Sequence, residues 1–435
     1  MIYDAGVETI ARSELAQLQI ERLQATLRRV YRNVAFYRQV FDARGVDIER
    51  VRDLDALEGL PFTTRADLQS AYPYGMFAVP LRDIVRLHAS SGTRGRPVVV
   101  GYTRNDLQHW SALVARQLVG AGVDQHDVVQ IAFAYSLFTG GLGFHYGAER
   151  LGAAVVPAST GASPADQIAI MRDYKTTVLA GMPSTALVIA TAVEEQGVHP
   201  EELHLRVGLF GAEPWSEDVR QRIEQSLRLR AFDAYGVSEI MGPGVAAECA
   251  ERQGLHVSED HFIVEVIDPV TLARRRPGED GELVFTTITK EAFPLIRYRT
   301  GDLAALIDGP CACGRTFARM TRVRGRTDDL VMAQGARFFP SQLREVLMQQ
   351  RWFSPEVAVV LTRNDGQDRI EVRAAISEAA PFFDEISRVS ELRADTVRAL
   401  RAALGVSVEL TLVERATLRE ETGAKGVRVI DRRRL

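Results

Sequence analysis

Val128-Val-Gln-Ile-Ala-Phe133, Ala154-Val-Val-Pro157, Thr177-Val-Leu-Ala180 and Val207-Gly-Leu-Phe210 are short apolar runs, each followed by an amphipathic segment or a loop leading to one. Runs of this length, rich in β-branched residues, suit buried strands. Alternation of such strands with helical patterns from about residue 80 to 300 predicts an α/β fold with a parallel sheet, whose ligands bind beyond the carboxyl ends of the strands. On the N-terminal side, Ile20, Leu23, Leu27, Val30 and Val34 recur at three- and four-residue steps, which predicts a packing helix from about 8 to 45. Past residue 325 the pattern changes. Val357–Thr362 and Ile370–Ile376 read as paired strands, 384–404 as a helix and Val406–Val413 as another strand, a small α+β unit. The charged, Gly-containing stretch Arg324-Gly-Arg-Thr-Asp-Asp329 suits a linker or hinge. The expected organisation is a large N-terminal domain of β-sheets and packed helices, 1–327, and a small C-terminal α+β domain, 328–435.

A chain of 435 residues exceeds what one hydrophobic core organises, in keeping with two domains. It is 46% apolar and 25% charged, the composition of an ordinary globular protein. The 53 basic and 57 acidic residues are interspersed, with a net charge of −4, so no nucleic-acid partner is expected. No run of eighteen apolar residues occurs and Met1-Ile-Tyr-Asp4 does not open like a secretory leader, so neither a membrane span nor secretion is expected, and a cytoplasmic location is. Only three of the basic residues are lysine, Lys175, Lys290 and Lys425. Where arginine is so favoured, a surviving lysine suggests a need for an ammonium.

Three motifs carry chemistry. Ser90-Ser-Gly-Thr-Arg-Gly-Arg-Pro97 combines glycines whose backbone amides can form an anion-binding nest with hydroxyls and guanidinium groups, a cradle suited to a polyphosphate. It lacks the Walker A pattern, and a flexible surface turn is the alternative. Asp233-Ala-Tyr-Gly-Val-Ser-Glu239 places a ring that can stack on a base beside a carboxylate that can hold Mg²⁺. Tyr298-Arg-Thr-Gly-Asp302 offers a carboxylate on a turn, suited to accepting two ribose hydroxyls.

Together, in this order, these motifs resemble the acyl-adenylate-forming superfamily, and specifically the phenylacetate-CoA ligase family. Tyr135–Gly143, His145–Gly152, Ala180–Ser184, Gly325–Asp329, Gly335–Ser341 and the final Gly426–Asp431 extend the resemblance over essentially the whole chain. It implies that Ser90, Ser91, Gly92, Thr93, Arg94, Gly95 and Arg96 form the phosphate loop, that Tyr235 stacks on adenine, and that Gly236 and Ser238 belong to the same nucleotide-binding site. Glu239 is then the Mg²⁺-associated carboxylate, Asp302 the ribose acceptor, Arg326 a second nucleotide contact and Asp328 the pivot of a mobile C-terminal domain. Lys425 falls on the catalytic lysine. By the same resemblance Tyr135, Phe138, Gly141, Ala212 and Ile240, with Pro243 nearby, line an aryl-acid pocket. The chain departs from the family's usual residues at Ser136, Phe144, Arg94 and Arg96.

The implied reaction joins an aromatic carboxylic acid to CoA with ATP and Mg²⁺, through an acyl-adenylate. A carboxylate must approach an anionic α-phosphate, so catalysis is charge neutralisation plus in-line positioning. Lys425 would bridge the two anions as a compact point charge. Two rivals stand beside this reading: an enzyme loading an aryl group onto a carrier-protein thiol, and a non-catalytic nucleotide-binding protein. A homodimer is the default for a soluble enzyme.

Cys249, His256, Cys311 and Cys313 supply a Cys₃His set that could close a structural zinc site if their loops converge, with His261 as a substitute for His256. Three unrelated thiols are the alternative. Gly242-Pro-Gly-Val-Ala-Ala247 fits a dinucleotide fingerprint, but Pro lies inside the turn and the stretch directly follows Ser238-Glu239, so it is discounted.

Overall fold

The computed structural model describes residues 1–90, 96–327, 331–334, 336–338, 340–349, 352–364, 367–376, 386–422 and 427–433. The chain divides into two compact units. The first comprises Met1–Trp215 and Val219–Arg322, the second Ser216–Asp218 and Val323–Leu435.

The expected strands of the first unit are present at Val128–Ala132, Ala154–Val156, Val178–Gly181 and Val207–Gly211, joined by Arg230–Val237. They pair in parallel, with Val128–Ala132 flanked by 154–156 on one side and 178–181 on the other. The chain therefore reverses its direction of travel across the sheet at strand 128–132, a switch point of the kind that opens a crevice at the strands' carboxyl ends. Beyond strand 230–237 the sheet continues antiparallel through Gly242–Glu248, Leu255–Val257, Arg319–Met320 and Leu306–Ile307. Strands Phe262–Ile267, Gly281–Thr287 and Tyr298–Ala304 pair antiparallel in a second sheet.

The N-terminal helix expected over 8–45 is two helices, Arg12–Asn33 and Ala35–Ala43, preceded by a short one at Ala5–Glu8. Val34 between the longer two is extended, at φ −112° and ψ 109°. The first buries Leu15, Leu23, Leu27 and Val30. The break redirects the second so that Tyr37 and Phe41 enter the core, where the Tyr37 hydroxyl lies 3.1 Å from Thr63 Oγ1 and accepts from Ile296 N–H. A periodicity continuous in sequence thus serves two faces.

In the second unit Phe353–Asn364 pairs antiparallel with Gln367–Ile376 and parallel with Val427–Asp431, and Glu409–Leu412 flanks the other edge. This last strand is shorter than the expected 406–413, although Val406 and Val408 still enter the core with Val359, Val372 and Leu410. Helix Ile386–Leu404 supplies Leu400 and Leu404 to that core.

Candidate functional site

The nucleotide motifs converge at the carboxyl side of the parallel strands. Tyr235 is on strand 230–237 and Asp302 on strand 298–304 of the second sheet. The Tyr235 hydroxyl donates to Asp302 Oδ2 at 2.7 Å, and the Tyr235 ring lies near-parallel to Phe285 at 6.1 Å. Gly236 is fixed by crowding, since a Cβ there would fall 1.8 Å from the Gly242 carbonyl oxygen. Ser238 Oγ meets Thr139 Oγ1 at 3.0 Å, tying this loop to the one that follows strand 128–132. Glu239 is almost fully buried.

The residue that joins Ser90 of the first motif to Glu239 of the second does not stand out in the sequence. Arg65 donates from Nη1 to Glu239 at 3.1 Å and from Nη2 to Ser90 Oγ at 3.3 Å. It opens helix Arg65–Ser70, which Thr64 and Asp67 cap reciprocally in a capping box. A cation in a first helical turn is disfavoured by the helix dipole, so its placement points to a partner outside the helix. Thr63 anchors the helix, since its N–H donates to Arg297 O and its carbonyl accepts from Arg299 N–H. That edge leads directly to Asp302.

Ser90 follows strand Arg86–Ala89 and is buried. Ser91, Gly92, Thr93, Arg94 and Gly95 lie outside the described residues, as do Asp328 and Lys425. Arg96 is exposed, with its guanidinium 5.7 Å from the Tyr72 ring. Arg326 lies on the two-residue strand Gly325–Arg326 of the second unit.

The expected acid pocket draws on three strand ends. Tyr135 and Phe138 follow strand 128–132, Ala212 follows strand 207–211, Ile240 follows strand 230–237, and Pro243 lies at the start of strand 242–248. Tyr135 and Phe138 are partly exposed, whereas Ile240 and Pro243 are buried. Gly141 is buried, and a Cβ would approach Ala134 O to 2.7 Å, so its missing side chain lets helix 140–151 close on the preceding loop. Phe144 stacks on Phe133 at 5.5 Å, within 4° of parallel. The Tyr135 hydroxyl is 3.1 Å from His145 Nδ1, and His145 Nε2 is 3.1 Å from Glu149. Burial, reinforced by Glu149, raises the Tyr135 pKa and keeps it a phenol. Ala212 sits in the left-handed region at φ 71°.

The four expected metal-site residues converge. One ligand atom from each of Cys249, His256, Cys311 and Cys313 lies within 4.8 Å of every other. Cys249 and Cys311 Sγ are 3.8 Å apart, and Cys313 Sγ is 3.4 Å from His256 Nε2. A tetrahedral ion with bonds of about 2.3 Å to sulfur spaces its sulfurs about 3.8 Å apart. The donor set and its spacing therefore fit zinc. Burial, aided by Arg315, lowers the His256 pKa to about 4, keeping the imidazole neutral as a ligand must be. His261, the substitute considered from sequence, is not in the cluster. It pairs with Asp260 at 3.3 Å and bonds Thr289 Oγ1 at 2.7 Å.

The chain matches the AMP-binding enzyme family over residues 16–289 and the AMP-binding enzyme C-terminal domain family over 335–433. It is 42% identical to phenylacetate-coenzyme A ligase of Thermus thermophilus, covering all of both chains. The chain belongs to the phenylacetate-CoA ligase family. The Escherichia coli phenylacetate-coenzyme A ligase is likewise 42% identical, over 99% of this chain and 97% of that one. Among solved structures, 2-hydroxyisobutyryl-CoA ligase in the postadenylation state with 2-HIB-AMP superposes with a TM-score of 0.87 at 26% identity, covering 96% of this chain and 93% of that chain. Phenylacetate-CoA ligase family membership is thus carried over the full length, and the fold by a solved acyl-adenylate complex. Among the described residues no helix is long and apolar enough to cross a membrane.

Proposed function

We propose that this chain, an ATP-dependent acid–CoA ligase, joins an aromatic carboxylic acid, phenylacetate foremost and benzoate- or anthranilate-type acids next, to CoA through an acyl-adenylate. The observation that carries the reading is the junction of Tyr235 with Asp302 and of Ser90 with Glu239 through Arg65. It supports a surface for adenosine beside one for the phosphates. In this reading Tyr235 receives adenine, Asp302 accepts the ribose hydroxyls, and 90–96 with Arg65 holds the phosphates. Mg²⁺, when bound near Glu239, supplies charge neutralisation to the leaving pyrophosphate, and a buried carboxylate is a hard-oxygen donor that suits it. Residues 1–327 bind ATP and the acid, with Arg326 a second nucleotide contact, and 328–435 form a mobile domain that pivots at Asp328 and carries Lys425.

The acid is held with its ring among Tyr135, Phe138, Ala212, Ile240 and Pro243, which favours a flat ring over an acyl chain. Its carboxylate attacks the α-phosphorus in line, an acyl–phosphate bond forms and the bond to pyrophosphate breaks. The CoA thiol then attacks the activated carbonyl and AMP leaves. The Cys₃His cluster is a structural zinc site, closed by four protein ligands and without an open position for catalysis. ATP and CoA as substrates favour the cytoplasm, and a homodimer is the expected assembly, to be checked by solution mass.

The deciding experiment measures AMP and pyrophosphate release across aryl and aliphatic acids, each with and without CoA. CoA-dependent turnover on ring-bearing acids is expected. Pyrophosphate exchange with no CoA-dependent product would instead indicate a carrier-protein thiol as acceptor.

A further inference from the structure

Lys290 is fully buried in the first unit, in a chain where only three of 53 basic residues are lysine. Burial lowers its ammonium pKa to about 7 against the pull of Asp106 and Glu239. Neither the nucleotide nor the acid contacts described above involve it. Its Nζ donates to the Ile240 carbonyl at 2.8 Å and sits 4.4 Å from the centre of the Tyr102 ring and 5.7 Å from that of Phe293. The amine carries a hydrogen for that bond whether charged or neutral.

Two neighbours repeat the contact along the same strip of backbone. The Tyr102 hydroxyl donates to Met241 O at 3.0 Å, and Trp110 Nε1 donates to Pro243 O at 2.7 Å. The Tyr102 and Trp110 rings are themselves stacked, 5.0 Å apart and within 17°. The residues after Lys290 are tied down as well, because Asp106 accepts from Glu291 N–H at 2.7 Å and from Ala292 N–H at 3.0 Å. Asp106 is also the capping-box carboxylate of helix Arg104–Gly120, which carries Trp110. Three donors from separate parts of the unit thus fix three carbonyls in the four residues that follow Glu239.

We propose that Lys290 is a positioning residue for adenylation, acting with Tyr102 and Trp110 as a backbone clamp on residues 240–243 that sets the Glu239 carboxylate and the Ile240 wall of the acid pocket. The proposal rests on the reading of this site as an adenylation site. It accounts for a lysine in an arginine-biased chain, because a compact ammonium on a flexible stem donates to the Ile240 carbonyl while facing the Tyr102 ring. A strip of chain with unmet carbonyls would relax, and misplacement by a fraction of an ångström at the reacting groups costs rate out of proportion to stability.

The test compares the wild type with Lys290→Met, which keeps length and removes the donor, with Tyr102→Phe, which removes one hydroxyl, and with Lys175→Met, an exposed control. Pyrophosphate exchange and amide hydrogen exchange are read in each. In Lys290→Met, kcat for exchange is expected to fall about tenfold and half-saturating acid to rise. Amide exchange is expected to quicken across 239–243 and not elsewhere. Tyr102→Phe should show the same pattern more weakly, and Lys175→Met neither change. Should Lys290→Met fail to fold, Tyr102→Phe carries both measurements. Unchanged protection of 239–243 would overturn the clamp, as would loss of protection throughout the unit, which would mark Lys290 as merely structural. A wild type inactive on every acid would sink the adenylation reading, while the amide exchange would still report on the clamp.

Discussion

The hydroxyl of Tyr235 donates to Asp302 at 2.7 Å, so the proposed adenine-stacking ring and the proposed ribose acceptor are one hydrogen-bonded unit spanning two sheets. Losing either should disturb the other. Asp302→Ala is expected to lower kcat/KM for ATP at least about 100-fold, since it removes a charged acceptor and strands a buried hydroxyl. Tyr235→Phe should cost about 3- to 10-fold, mainly in KM for ATP. Steady-state kinetics with ATP varied will check both.

Lys425 is one of three lysines and is proposed to act only in the first half-reaction. Lys425→Ala should slow pyrophosphate exchange by about 100-fold or more, the scale of removing a group aimed at transition-state charge. Thioester formation from supplied acyl-adenylate and CoA should remain near wild type. Equal loss in both half-reactions would remove Lys425 from that role.

The Cys249, His256, Cys311 and Cys313 cluster should hold one zinc per chain as purified, readable by elemental analysis. Cys311→Ser should lower zinc content and melting temperature together, because binding to the folded state alone adds to its stability. A variant that keeps its melting temperature when stripped of zinc would show the ion to be incidental.

Asp233 gives a pH dependence whose sign follows from its surroundings. Burial first, and repulsion from Glu248 second, raise its pKa to about 7, against about 3.9 when unfolded. Between those values the folded state holds the extra proton. The contribution is therefore full below about pH 4 and is lost as pH rises through 7. Asp233→Asn should flatten the fall in unfolding free energy between pH 5 and pH 8, measured by urea denaturation.

Strands 128–132, 154–156, 178–181 and 207–211 were legible within a residue or so, the first, third and fourth because a strand buried on both faces is a short continuous apolar run, and the half-exposed edge strand 154–156 through its β-branched residues. The break at Val34 was not, since Leu27, Val30 and Val34 keep helical spacing across it and only the demands of Tyr37 and Phe41 on the core require the turn. The motifs proposed to bind the nucleotide are local in sequence, so their residues stand out together. Arg65 could not, because Glu239 and Ser90 are its partners through tertiary approach, although the Thr64-to-Asp67 capping box around it was visible in sequence. The choice between His256 and His261, five residues apart, was likewise settled by tertiary approach: His256, on strand 255–257, meets Cys313, whereas His261, in the turn that follows, pairs with Asp260. Spacing alone carries no such information.

Ala212 bears on how such a pocket can change over evolutionary time. It follows strand 207–211 with φ at 71°, a backbone state that glycine occupies freely, asparagine and alanine tolerate and β-branched residues resist. Substitution there is closed to β-branched side chains, whatever acid is selected for. In the proposed acid pocket, room for new ring substituents then falls to Tyr135 and Phe138, on the loop that follows strand 128–132, while Ile240 lies on a strip of chain held by three donors. Drift in substrate preference within this lineage should therefore be written on one wall of the pocket, with the facing walls almost invariant.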